Sequence, residues 1–153
     1  MISSEPGPLD SAEYRRLRVG ETDYLVALVG SGEPVLLLHG FPQTHHCWRR
    51  ILPTLAPRHT VIAPDLRGYG GSRAGPGGPH GEGFTKREVA AELVALMGEL
   101  EFERFTVVGH DRGARVAYRM ALDAPDRVDR LAVLNVVPTV DQFKRMADGL
   151  SLG

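Results

Sequence analysis

Residues 105–122 read FTVVGHDRGARVAYRMAL: an apolar run, a turn framed by glycines, and a helix-forming stretch. The turn, Gly109–Gly113, has the form G-x-D-x-G and directly follows the predicted strand Phe105–Val108. A strand that turns sharply into a helix strains its central residue, and a neighbouring Cβ would clash, so the flanking glycines favour this geometry. The pattern is that of a nucleophile elbow with aspartate at its centre. It predicts that Asp111 lies at the edge of the sheet, with the N–H groups of the next helix pointing toward it.

Short apolar runs and helical patterns alternate on both sides of this turn. Further strands are predicted at Tyr14–Val19, Tyr24–Val29, Pro34–Leu38, Thr60–Pro64 and Leu131–Val137, and helices at Trp48–Leu55, Thr85–Leu100 and Arg115–Leu122, with another beginning at Val140. The first two strands form a hairpin, and Thr85 with Glu88 forms a capping box. This order predicts an α/β fold, with a mostly parallel sheet, helices on both faces and an N-terminal hairpin.

The composition is that of an ordinary globular domain. The chain has 153 residues, of which 42% are hydrophobic and 24% charged, and its formal net charge is -1. These values give no reason to expect a nucleic-acid partner, and no apolar run is long enough to span a membrane. The N-terminal stretch lacks the apolar region of a signal peptide, so we expect a cytoplasmic location. The single cysteine, Cys47, excludes an internal disulfide.

The chemistry is expected at the carboxyl ends of the parallel strands, where ligands bind in such sheets. Four segments lie at these strand ends: His39–Pro42, Asp65–Ser72, Gly109–Gly113 and Asn135–Pro138. A plain helix N-cap is the alternative role for Asp111. His45, His46 and Cys47 are adjacent but point in different directions, so we expect no metal site.

Three of these segments together resemble the α/β-hydrolase superfamily: His39–Pro42, Asp65–Ser72 and the elbow. An aspartate at the elbow is similar to the haloalkane dehalogenase and epoxide hydrolase branch. The arrangement Asp111-Arg112-x-x-Arg115 most resembles the haloacetate (fluoroacetate) dehalogenases, because epoxide hydrolases usually have tryptophan after the nucleophile. The resemblance extends from Tyr14 onward. It implies the α/β-hydrolase fold.

The resemblance also implies a reaction and roles for individual residues. A small 2-haloacid would lose its halide to Asp111, and water would cleave the resulting aspartyl ester. Arg112 and Arg115 would bind the substrate carboxylate, unless they are ordinary solvated helix arginines. The backbone N–H groups of Phe41 and Arg112 would stabilise the oxyanion, and the Phe41-Pro42 peptide bond is expected to be cis. No cofactor is expected.

The chain departs from the family pattern at two points. All six histidines precede Asp111, whereas the family's water-activating histidine comes late in the chain. Asn135 stands where an acid commonly lies, and an amide cannot supply the charge that stabilises imidazolium. We therefore expect the cap domain and the C-terminal part of the fold to be missing, with residues 1–13 a tail, 14–139 the N-terminal part of the core domain, and 140–153 the start of a truncated cap segment.

Three interpretations of function stay open. The preferred one is a dehalogenase of haloacetate type, present as an inactive fragment that binds a small-molecule substrate. An epoxide hydrolase and a non-catalytic remnant of the fold are the alternatives. In each case Leu131–Val137 would form an exposed apolar sheet edge, which favours self-association.

Overall fold

One six-stranded sheet with helices on both faces forms the fold of this computed structural model, which describes residues 9, 11–78, 83–137, 140, 141, 143 and 144. The strands are β1 Glu13–Val19, β2 Thr22–Val29, β3 Glu33–Leu38, β4 His59–Pro64, β5 Phe105–His110 and β6 Val128–Leu134. The helices are α1 Leu52–Leu55, α2 Lys86–Glu99 and α3 Arg112–Asp123, and a 3-10 turn spans His45–Trp48.

The strand order is β1-β2-β4-β3-β5-β6. The β1–β2 hairpin is antiparallel, and β2 also pairs antiparallel with β4. Strands β4, β3, β5 and β6 are mutually parallel, so their carboxyl ends meet at one edge of the sheet. The predicted architecture, including the N-terminal hairpin, is confirmed.

Alternating side chains of β3 enter two separate apolar cores, one on each face of the sheet. Leu36 packs in the core that includes residues of α2 and α3. Leu37 packs in the other core with Trp48 and Leu52. Leu9, within the segment predicted as a tail, is also buried in this second core. An unbroken apolar strand is therefore explained by burial on both faces.

The helix predicted at Trp48–Leu55 is wrong, because the chain here forms the 3-10 turn His45–Trp48 and then the short α1. Pro53 lies in the first turn of α1. Proline has no N–H to donate to the carbonyl four residues earlier, and its ring crowds that carbonyl. A continuous helix through Pro53 is therefore excluded.

The last predicted strand is displaced. Strand β6 spans Val128–Leu134, three residues earlier than the predicted Leu131–Val137. It ends where Asn135 adopts a φ of 52°, which breaks the extended backbone. The β6 side chains at the sheet edge are exposed, with Leu131 and Val133 each 41% accessible.

Both long helices begin at well-defined points. The predicted capping box of α2 is confirmed: Glu88 N–H donates to Thr85 Oγ1 at 3.2 Å, and Thr85 N–H donates to the Glu88 carboxylate at 3.1 Å. Helix α3 begins at Arg112, three residues before its predicted start, so it follows the elbow directly. Of the helix predicted from Val140, only residues 140, 141, 143 and 144 are described, and they are helical. No helix within the described ranges is long and apolar enough to cross a membrane.

Candidate active site

The elbow places Asp111 between β5 and α3 with φ 48° and ψ −111°, a backbone conformation that few residues other than glycine adopt. The flanking glycines are required by close contacts. A Cβ on Gly113 would lie 2.2 Å from the carbonyl oxygen of Leu38, and a Cβ on Gly109 would lie 2.5 Å from the carbonyl oxygen of Gly113. Asp111 occupies the N-cap position of α3, but its side chain makes no capping hydrogen bond there.

Two backbone N–H groups instead hold the Asp111 carboxylate. Phe41 N–H donates to Oδ2 at 2.9 Å, and the N–H of Arg112 also donates to the carboxyl group. Burial alone would raise the pKa of Asp111, but these donors, with the nearby charge of Arg115, hold it below its usual range. The Phe41-Pro42 peptide bond is cis, as predicted. The two predicted oxyanion donors therefore converge on one carboxylate, while their role in catalysis stays a prediction.

Arg112 is held in place over the site although it is exposed. Its Nη1 donates to the hydroxyl of Tyr69 at 2.8 Å, and its guanidinium lies 4.9 Å from the centroid of the Phe41 ring. Arg115 lies in the first turn of the same helix, and its charge acts on Asp111. The structure thus brings both predicted arginines to the elbow.

A cavity of about 410 Å³ opens beside Arg112. Its wall includes Phe41, Tyr69, Val116 and a residue that sequence reasoning missed, Lys86. Burial, followed by the charges of Arg112 and then Arg115, lowers the pKa of the Lys86 ammonium group. A signal for Lys86 existed: it directly follows an N-cap, where a cation opposes the helix dipole.

Asn135 lies at the end of β6, beside the elbow. Asp111 N–H donates to the carbonyl of Leu134 at 3.0 Å, which places Asn135 next to the candidate nucleophile along the sheet edge. The Asn135 amide nitrogen is 3.3 Å from His110 Nε2, and His110 Nδ1 is 3.0 Å from Gln43 Oε1. This pairing assigns His110 the tautomer that donates from Nδ1 to Gln43 and accepts at Nε2 from Asn135. Sequence reasoning missed Gln43.

Buried His39 connects the turn after β3 to the turn after β4. Its Nε2 accepts from Leu66 N–H at 2.8 Å, so Nδ1 carries the proton and donates to the Gly40 carbonyl at 2.9 Å. Burial, the largest influence, lowers the pKa of this histidine and favours the neutral ring. These contacts give His39 a structural role in joining the two turns.

Asp65 organises the loop after β4. Its carboxylate accepts hydrogen bonds from the backbone N–H groups of His45 and Gly71 and lies 2.8 Å from His45 Nδ1. Two residues further, Arg67 is buried and pairs with Glu92 of α2 at 2.5 Å, and Glu92 also accepts from Tyr24. These contacts hold α2, and therefore Lys86, against the loop that carries Tyr69.

Comparison with known proteins places the chain in a family. A family model described as alpha/beta hydrolase fold matches residues 33–150. A fluoroacetate dehalogenase from Burkholderia sp is 48% identical over 134 residues, which are 88% of this chain and 44% of the relative. A soluble epoxide hydrolase from Corynebacterium sp. is 44% identical over 109 residues, 71% of this chain and 36% of the relative.

A solved structure agrees with this assignment. A protein from Nostoc sp PCC 7120, provisionally named an alpha/beta hydrolase, superposes with a TM-score of 0.85 at 46% identity. That match covers 89% of this chain and 47% of the other. The chain thus spans less than half the length of each of these relatives. With a family model that matches most of its residues, this chain belongs to the alpha/beta hydrolase fold family.

Proposed function

We propose that Asp111 is the nucleophile of a hydrolytic dehalogenase that acts on small 2-haloacids. The observation that supports this most strongly is the Asp111 carboxylate, held by two N–H donors beside Arg112 and Arg115. An ionised carboxylate next to two guanidinium groups suits a substrate that is itself a carboxylate. The 48% identity to a fluoroacetate dehalogenase supports the same substrate class.

In the first step, a carboxylate oxygen of Asp111 attacks the carbon that bears the halogen. The new C–O bond forms as the C–halogen bond breaks, and the bonding electron pair leaves with the halide. In the second step, water adds to the ester carbonyl carbon of Asp111. A base takes one proton from this water, and the oxyanion receives hydrogen bonds from the N–H groups of Phe41 and Arg112. Its collapse breaks the ester bond to the substrate carbon's oxygen, and the leaving alkoxide takes the proton from the base, which releases a 2-hydroxyacid and restores the carboxylate.

Arg112 and Arg115 orient the substrate for the first step. Contact of the guanidinium groups with the substrate carboxylate would leave the halogen-bearing carbon facing Asp111 at near-attack distance. Tyr69 and Phe41 fix the Arg112 side chain before substrate arrives, so less side-chain entropy is lost on binding.

The second step requires a base, and the described histidines near the site have other partners. His39 bridges Gly40 and Leu66, and His45 contacts Asp65. His110 contacts Gln43 and Asn135. We therefore expect this chain by itself to form the Asp111 ester at most once per molecule and not to hydrolyse it, so that it has no catalytic turnover.

Mass spectrometry of the chain incubated with fluoroacetate tests the ester. We expect a carboxymethyl adduct on the peptide that contains Asp111, with release of fluoride, and no adduct in Asp111→Asn. Peptide mapping separates this adduct from alkylation of Cys47, whose pKa burial raises to about 11, so that its thiol stays protonated near neutrality. Unmodified Asp111 after prolonged incubation would contradict the proposal.

An epoxide hydrolase is the second candidate, favoured by the 44% identity to a soluble epoxide hydrolase. A neutral epoxide has no carboxylate for the arginines to bind. Arg115→Leu should therefore abolish ester formation from fluoroacetate, whereas it would spare ester formation from an epoxide. An ester that forms from an epoxide in both the unsubstituted chain and Arg115→Leu, with none from fluoroacetate in either, would favour the epoxide interpretation.

A further inference from the structure

The positive charge of Lys86 lies at a position where few favourable interactions stabilise it. It is the first residue of α2, where the aligned N–H groups carry partial positive charge and cations are unfavourable. It is half-buried, and no carboxylate in the described part of the chain forms an ion pair with it. A residue that opposes the helix dipole and is partly desolvated does not contribute stability through its charge.

The next residue shows the contrast. Arg87 is 70% exposed in its side chain and pairs with Asp123 at 3.1 Å. Lys86 instead lines the wall of the cavity that also includes Arg112, Phe41 and Tyr69. Two neighbouring cations of the same helix turn thus have different surroundings, and only Lys86 shares the cavity with the elbow.

The proposed reaction explains why a cation near Arg112 would be useful on this wall, where the remaining cation, Arg67, is paired with Glu92. It brings two anions, the Asp111 carboxylate and the carboxylate of the haloacid, into the same small space. Their repulsion opposes binding, and it grows as the cavity excludes water. Each cation on the wall offsets part of it. A neutral substrate such as an epoxide gains no such benefit.

We infer that Lys86 is a third cationic group of the carboxylate subsite, beside Arg112 and Arg115, and that it selects anionic over neutral substrates. This inference rests on the proposed function. Lys86 acts on the substrate carboxylate, and Asp111 performs the displacement. The fold tolerates an unfavourable charge at the start of α2 because that charge serves binding.

Binding of glycolate, the hydroxyacid product, and of neutral glycolamide isolates this role from the chemistry. Calorimetric titration of the chain with both ligands gives their affinity ratio. We expect Lys86→Met to weaken glycolate binding by about tenfold, as for loss of one charge-assisted contact, and to leave glycolamide unchanged. Lys86→Arg should restore the preference for glycolate. Arg87→Met, which removes the same charge from the same helix turn, should leave both affinities unchanged.

Thermal unfolding provides a second readout. Lys86→Met should unfold at the same temperature as the unsubstituted chain or higher, because the charge it removes opposes the helix dipole. An unchanged affinity ratio in Lys86→Met, or an equal change in Arg87→Met, would overturn the inference. A lower unfolding temperature with equal losses for both ligands would assign Lys86 a structural role and overturn it too.

The adduct experiment separates this inference from the proposed function. If Asp111 forms the ester but the affinity ratio does not depend on Lys86, the function stands and the inference fails. If no ester forms while Lys86 still determines the preference for glycolate, the subsite stands and the dehalogenase proposal fails.

Discussion

Strands β5 and β6 lie side by side, and each ends in a turn with an unusual backbone conformation. The surroundings of the two turns differ. Each strand is followed by a polar residue with positive φ: Asp111 at 48° and Asn135 at 52°. Asp111 is surrounded by glycines and held by two N–H donors. Asn135 is exposed, and its side chain contacts His110 at 3.3 Å.

The difference shows two ways to maintain an unfavourable backbone conformation. At β5 the surrounding backbone enforces it, because close contacts leave the turn no alternative. At β6 the residue itself tolerates it, since asparagine adopts positive φ more readily than most residues. The first kind of end suits a group that must keep its position during a reaction.

The largest expected effect comes from breaking the β5 end. Gly113→Ala would place a Cβ 2.2 Å from the Leu38 carbonyl oxygen and 2.5 Å from that of His39, and backbone atoms on both sides cannot move away. We expect a loss of roughly 3 kcal/mol or more in the free energy of unfolding, measured by chemical denaturation. Gly98→Ala in α2, whose Cβ would meet its nearest atom at 3.9 Å, is the control and should stabilise by roughly 0.5–1 kcal/mol. Equal effects of the two changes would refute this explanation.

In the part of the chain that the structure describes, β6 also differs from β5 in pairing with another strand on one side only. We expect the chain to self-associate through this edge, where Leu131, Val133 and Leu134 are each more than two-fifths exposed. Val133→Lys should shift sedimentation toward the monomer. Tyr14→Lys adds the same charge at the β1 edge, 48% exposed, and should leave the association unchanged. A monomeric unsubstituted chain would rule out the expectation.

The β6 end should respond weakly to substitution. Asn135→Ala places at positive φ a residue that adopts this conformation less readily than asparagine, and it should cost about 1 kcal/mol of unfolding free energy. Asn135→Gly removes the same contact with His110 but accepts the conformation without strain. We expect Asn135→Gly to leave the free energy of unfolding nearly unchanged. The difference in that free energy between the two variants then measures the cost of the backbone conformation. If both lose the same amount, the His110 contact is responsible instead.

The smallest effect concerns pH and again distinguishes the two ends, because Asn135 does not titrate. The folded pKa of Asp111 is lowered, so its charge contributes stability above the unfolded pKa, and this contribution is lost as pH falls through the folded pKa. The unfolding free energy of the chain minus that of Asp111→Asn should therefore decrease from about pH 7 to below about pH 4. A difference that stays constant over this range would contradict the lowered pKa.

Much of the fold could be predicted from local patterns. Continuous apolar runs identified β3 and β4, and Thr85 with Glu88 identified the start of α2, because burial on both faces and capping leave local signatures. The boundaries of β6 could not be found in this way. Its first residues include Asp129, whose pairing with Arg104 becomes visible only in three dimensions. The separation of α1 from the preceding 3-10 turn does have a local cause in the sequence, because Pro53 excludes a continuous helix.

The site, like the fold, has parts that local sequence patterns indicate and parts that they do not. The G-x-D-x-G motif indicated Asp111, and the elbow pattern indicated the positions of its N–H donors, because these depend on backbone geometry near one turn. The Gln43–His110–Asn135 contacts join three strand ends that are distant in sequence. Lys86 reaches the cavity only because α2 packs against α3. Such contacts depend on tertiary packing, and although the position of Lys86 after an N-cap is unusual, no local pattern shows which groups it meets.

The position of β3 in the sheet has a consequence for synthesis on the ribosome. Both strands that flank it, β4 and β5, follow it in the chain, and β5 begins at Phe105. The apolar segment Glu33–Leu38 therefore emerges well before its second partner exists, with neither core yet assembled. During that interval the nascent chain exposes an unpaired, strongly apolar strand, the kind of segment that aggregates and that chaperones bind. An inner strand of the finished sheet is thus prone to aggregation while the protein is being made.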